Sequence, residues 1–130
     1  MATQRFVVHS DLPGLNELID ARIQQSKTRG RKGAKWNAYS ELKKHWMEIL
    51  IPLARSQLRP VTKPARFKFV YFEAHRRRDP DNIAAGAKKF ILDAMVESGI
   101  LPNDGQRHIL GWSEEWHVAR QPRVEVFVEE

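Results

Sequence analysis

The sequence predicts an α/β domain of the α+β kind, a mixed β-sheet of about four strands packed with helices, and three observations lead there. Short β-branched and aromatic runs with period-two alternation occur at 5–9, 66–74 and 122–130. Two longer stretches, 36–53 and 82–98, carry apolar residues every three or four positions. The elements follow one another as β, α, α, β, α, β, β with no internal repeat, so strands and helices share one core. A length of 130 residues suits a single domain over 1–130.

Residues 5 to 9 (RFVVH) read as a strand, Asp11-Leu12-Pro13-Gly14 as a turn or helix entry, and 14 to 25 as a short helix. The segment 26–35 (SKTRGRKGAK) has five cations, two glycines and no large apolar residue, and reads as a mobile basic loop. Trp36, Tyr39, Leu42, Trp46, Ile49 and Leu53 then form the predicted apolar stripe of a helix, with Pro60 and Pro64 bracketing the linker after it. In the strand at 66–74, Phe67, Phe69 and Tyr71 share one face while Lys68, Val70 and Phe72 share the other. Asp81 or Asn82 can cap a second helix whose stripe is Ile83, Ala87, Phe90, Ile91, Ala94 and Met95, with Gly99 as its stop. PNDG at 102–105 is a turn, followed by two strands in 107–120 and 122–130 joined near Gln121-Pro122.

A net charge of +6 and a pI near 9.9 favour a polyanionic partner such as nucleic acid. The absence of cysteine excludes disulfides, thiolate zinc sites and cysteine nucleophiles. No apolar run approaches the roughly 20 residues of a membrane helix, so a soluble, cytoplasmic protein with no membrane partner is expected.

The densest charge lies in RRRDPDN, residues 76–82, at the predicted strand-to-helix junction. Asp79 and Asp81 share a face there in extended geometry, and two adjacent carboxylates favour a cation. Hard oxygen ligands select Mg2+, with Mn2+ able to substitute, and Asp104 in the following turn is the natural third ligand. For that to hold, the helix and its loop must return Asp104 to the same end of the sheet. Arg76, Arg77 and Arg78 would then position a phosphate backbone, with Lys27, Arg29, Arg31, Lys32 and Lys35 as a DNA-contacting arm.

Each of these features also has a plainer reading. The acids of DPDN serve as a helix cap beside a surface ion pair, Asp104 as a turn residue, and the cations of 27–35 as a solvated loop. Trp36 and Trp46 fall on the helix stripe and read as core, whereas Trp112 and Trp116 are open to a stacking role. The five histidines show no ligand spacing, and His75 is notable only for its place beside the arginines.

Residues 76–105, RRRDPDNIAAGAKKFILDAMVESGILPNDG, resemble the RusA family of Holliday junction resolvases, many of them phage- or prophage-encoded, and LPGLNE at 12–17 looks like its phage branch. The resemblance rests on a basic run, a D-x-D-N doublet, a lysine-bearing helix ending D-A-x-x-x-x-G and an acid five residues later, about a quarter of the chain. It implies a RusA-like fold and a small homodimeric, magnesium-dependent endodeoxyribonuclease, with no small-molecule cofactor, that nicks opposed strands of a four-way junction. Asp79, Asp81 and Asp104 match the family's essential aspartates. The family's catalytic lysine maps to Lys89, one turn before Asp93, or to Lys88, favoured by helical phase from Asp81. Two departures are a longer helix and Asn103 where a paired acid would stand. Two readings compete: a nuclease of flaps or forks, and a junction-binding protein without turnover.

Overall fold

A computed structural model describes residues 3–9 and 38–130. Within them lie β1 (Thr3–Val8), α1 (Ala38–Gln57), β2 (Ala65–Glu73), α2 (Pro80–Glu97), β3 (Ile109–Val118) and β4 (Arg123–Glu129). They form a small α+β domain in which one mixed sheet, ordered β1-β4-β2-β3, packs with two helices. The expected helix at 14–25, the LPGLNE stretch, the basic loop at 26–35 and Trp36 lie outside the described residues.

β4 runs antiparallel to both β1 and β2, while β3 runs parallel to β2. The two last strands are therefore not neighbours although only 119–122 join them; β2 lies between. A parallel neighbour needs a crossover, and α2 supplies it by carrying the chain back along the sheet between β2 and β3.

The alternation read from β2 decides the layers. Phe67, Phe69 and Tyr71 are buried beneath the helices with Phe6, Val126 and Val128, while Arg66 and Lys68 on the opposite face are exposed. Stacked rings run across this face at centroid spacings of 6.2 Å (Phe67–Phe69), 6.3 Å (Phe69–Tyr71) and 5.8 Å (Tyr71–Trp116). The opposite face holds a charged cluster in which Arg5 and Arg123 both bond to Glu125. Burial acts to raise the Glu125 carboxyl, but those two guanidinium partners outweigh it and hold it below the usual carboxylate range.

The stripe of α2 is as expected: Ile83, Ala87, Phe90, Ile91, Ala94 and Met95 are all buried. The helix stops where Gly99 takes φ +83°, the left-handed position that glycine enters without a steric penalty. Its start differs from expectation, because Asp79 rather than Asp81 or Asn82 occupies the cap position, with Pro80 opening the first turn. The α1 stripe is rotated: Met47, Leu50 and Ala54 are buried, Tyr39, Leu42, Trp46 and Leu53 flank them, and Ile49 is 36% exposed. Ile49 stands about 100° around the axis from Leu50, so a helix that seats Leu50 turns Ile49 outward. Tyr39 meets Phe90 at 6.4 Å, and Lys43 reaches Asp93 at 3.2 Å, tying α1 to α2.

Candidate metal and nucleic-acid site

β2 delivers the chain to the site through Glu73, whose carbonyl accepts a 2.8 Å bond from the Ala119 amide at the end of β3. After it come the exposed His75, Arg76 and Arg77, then Asp79 in extended conformation (φ −69°, ψ 149°). Asp79 makes no side-chain capping bond, and Asp81 is exposed in the first turn of α2. Both residues thus stand at a helix N-terminus, Asp79 extended at the cap and Asp81 inside the first turn, so they do not lie on one extended strand as the sequence suggested. Glu73, His75, Arg76, Arg78, Ile83 and Trp116 are among the residues lining an adjoining cleft of about 500 Å³.

The arginine run divides its labour. Arg78 Nε bonds to Glu73 Oε1 at 2.7 Å, its NH2 reaches the same oxygen at 2.7 Å, and both side chains are largely buried. Arg78 therefore holds the end of β2 against the helix start. Arg76 is exposed and lines the cleft, and Arg77 is exposed next to it in the chain, its amide donating to His75 Nδ1 at 3.2 Å. Lys27, Arg29, Arg31, Lys32 and Lys35 lie outside the described residues.

Asp104 is elsewhere. It precedes β3, whose first residue, Ile109, pairs with Ala65 at the start of β2, and the Ala65 amide bonds to the His108 carbonyl at 2.9 Å. Because β2 and β3 are parallel, Asp104 stands at the opposite end of the sheet from Asp79 and Asp81. α2, 18 residues and roughly 27 Å long, runs between the two ends. The return of Asp104 to the same end, on which a site within one chain depends, does not occur. Among the described residues no group of three His, Asp or Glu side chains is placed to hold a metal ion. Asn103 has a local role, its Oδ1 accepting the Gly105 amide at 2.7 Å in the turn.

Neither lysine sits at the aspartates. Lys88 lies two turns down α2, about 10 Å along the axis from Asp81. Its Nζ is 3.1 Å from Glu114 Oε1 and 4.1 Å from the centre of the Trp112 ring. Lys89 faces the other way, half-exposed, 3.8 Å from Asp93 Oδ2. Lys88 thus joins a cluster on the β3 side of the helix: Glu114 Oε2 also accepts the Tyr71 hydroxyl at 2.9 Å, and Tyr71 stacks on Trp116. Burial pushes the Tyr71 hydroxyl up, and the neighbouring Glu114 carboxylate adds to it. The sequence reading missed Glu114; its signal was the period-two set Trp112, Glu114, Trp116, which lines one face of a strand. Trp112 and Trp116 are exposed.

Mg2+ keeps several waters and takes one or two carboxylates together with substrate phosphate oxygens. The exposed Asp79–Asp81 pair fits that donor set. No family model matches the chain, and no curated protein matches it. No helix among the described residues is long and apolar enough to cross a membrane.

Proposed function

We propose that this protein is a metal-dependent, structure-selective endodeoxyribonuclease acting on four-way DNA junctions. The observation that carries the reading is the Asp79–Asp81 pair, exposed at the β2–α2 junction, uncapped at Asp79 and flanked by the exposed Arg76 and Arg77. The resemblance of residues 76–105 to RusA resolvases supports the same assignment.

Asp79 and Asp81 would hold Mg2+, or Mn2+ in its place, which when bound supplies an activated water and neutralises charge on the phosphate. Arg76 and Arg77 bind the phosphates on either side of the scissile bond through charge-assisted hydrogen bonds. Trp116 offers a face on which a base unpaired at the branch point can stack. Lys88, paired to Glu114 about 10 Å along α2 from Asp81, would reach a phosphate at the aspartates only by leaving that pair.

The distance of Asp104 from the pair favours a second reading, a junction-binding protein without turnover. Cleavage of a synthetic four-way junction, compared with a linear duplex of the same sequence in Mg2+, Mn2+ and chelator, separates the two. Paired metal-dependent nicks in the junction alone are the expected result; binding without nicks selects the second reading. Nicking of flaps and forks at the junction rate would widen the substrate class. Asp79→Asn should abolish nicking while keeping or tightening junction binding, because it removes a negative charge that faces phosphate. Wild-type cutting by that variant would sink the assignment.

A further inference from the structure

On the face of the sheet away from the helices, the strand register sets Arg66 of β2 between Glu129 of β4 and Gly111 of β3, and Lys68 between Phe127 and Ser113. The other cations of this face are already engaged. Arg5 and Arg123 bond to Glu125, and Lys68 reaches Glu115 at 3.0 Å. Arg66 is exposed and makes no ion pair among the described residues, not even with Glu129 directly across the ladder.

Its guanidinium lies over Gly111 instead. The register of β2 with β3 slips between Ala65 and Arg66: Ala65 pairs with Ile109 and Arg66 with Gly111, which leaves Leu110 without a partner. An extra residue of this kind re-aims the side chains beside it. Here it sets the only glycine of β3 opposite Arg66, and a Cβ at that position would stand 2.9 Å from Arg66 Nη1. Glycine is what lets the guanidinium approach the β3 backbone. Arg66, Lys68, Thr3 and Ser113 line one cavity of about 440 Å³ there, together with Phe127 and Glu129.

We propose that this cavity is a phosphate site for the backbone of a DNA arm, with Arg66 as its anchor. A free guanidinium presents parallel N–H groups to a single phosphate, and the Thr3 and Ser113 hydroxyls add donors beside it. Lys68 already shares Glu115, so Arg66 carries the contact. The occupant is a polyanion because the chain is cationic overall, at +6, and offers exposed arginines at both ends of β2, Arg66 at its start and Arg76 and Arg77 past its finish. A small anion meets one of these points; a DNA backbone meets both. At about 3.3 Å per residue Arg66 stands roughly 23 Å along β2 from Glu73, a span that roughly seven phosphates of one strand cover. Arg66 therefore holds an arm of the junction and not its branch point.

The inference rests on the DNA-binding part of the proposed function and not on cleavage, so junction binding is titrated in chelator over a series of salt concentrations. Arg66→Ala should weaken binding roughly tenfold and lower the slope of log affinity against log salt by about one. Gly111→Ala leaves the net charge at +6 yet should lose a similar factor, because its methyl group displaces the guanidinium. Arg66→Lys, which keeps the charge without the fork, should recover only part of the loss. Circular dichroism and urea midpoints of all three should match wild type. On a junction with single methylphosphonates along one arm, a neutral linkage about seven steps from the branch should weaken wild type and leave Arg66→Ala unaffected. An unchanged salt slope for Arg66→Ala overturns the proposal, as does a Gly111→Ala variant that binds like wild type, or a scan in which no linkage loses its effect in Arg66→Ala. Inorganic phosphate that competes at micromolar concentration through Arg66 would make the cavity a small-anion site and would also overturn it. A chain that shows the Arg66-dependent slope but nicks no junction keeps the anchor and loses the nuclease. One that nicks while Arg66→Ala binds as wild type does the reverse, and a chain that binds no DNA loses both.

Discussion

At the β1 edge of the sheet the Val7 backbone is bonded twice by one side chain: its amide donates to Gln57 Oε1 at 2.8 Å, and its carbonyl accepts from Gln57 Nε2 at 3.0 Å. Gln4 on the same strand makes a matching pair of bonds with the backbone of Arg59 just beyond α1, at 3.0 and 2.7 Å. The β3 edge has exposed tryptophans instead, and a lysine, a glutamate and a tyrosine bonded to one another beside them. At one edge the Gln57 side-chain amide, from the end of a helix, satisfies the Val7 backbone groups that would otherwise be open to another strand. The other keeps apolar and titratable groups at the surface next to the carboxylate pair. Buried packing lies on the first side and exposed rings on the second, although both edges belong to the same sheet.

That contrast can be broken by mutation. Phe6 is fully buried on β1, so Phe6→Ala should cost about 3–5 kcal/mol, whereas Val118→Ala on β3 should stay within about 0.5 kcal/mol. Urea midpoints of the two variants check this, and equal losses would erase the distinction. Arg78→Ala removes two charged bonds from the largely buried Glu73, with an expected loss of about 2–3 kcal/mol. The same variant should weaken junction binding less than Arg77→Ala does in a filter-binding titration, since Arg78 serves the fold. Gln57→Ala should cost about 1 kcal/mol and speed hydrogen exchange at the Val7 amide without changing DNA affinity.

The smallest effect is in acid. The Glu125 carboxyl is held below the usual carboxylate range in the folded state, so the unfolded chain binds more protons there. Its contribution is present above the ordinary carboxylate pKa and fades as pH falls through the lowered folded value. Glu125→Gln should flatten the acid limb of the stability profile, and an unchanged limb would assign it to other carboxylates.

Local signals carried much of this molecule. The period-two alternation of Phe67, Phe69 and Tyr71 identified the buried face of β2, and the stripe from Ile83 to Met95 with Gly99 after it located α2 nearly to the residue. The junction of Asp79 with Asp81 was legible for the same reason, since a strand followed by Asp-Pro-Asp-Asn marks its own boundary. The rotation of α1 was less legible. Six apolar positions at helical spacing leave a choice of two adjacent faces, and contact with the sheet decides between them.

By itself, then, the sequence determined which residues alternate, which stripe of α2 is buried and where that helix ends, and that two carboxylates adjoin a basic run. These depend on neighbours a few positions apart. Only the tertiary structure decided that β4 lies between β1 and β2, that β3 runs parallel to β2, that Arg78 holds Glu73, and that Asp104 stands at the opposite end of the sheet from its expected companions. Strand order and direction come from competition among surfaces far apart in the chain, and a motif that counts positions carries no record of which way the next strand will run.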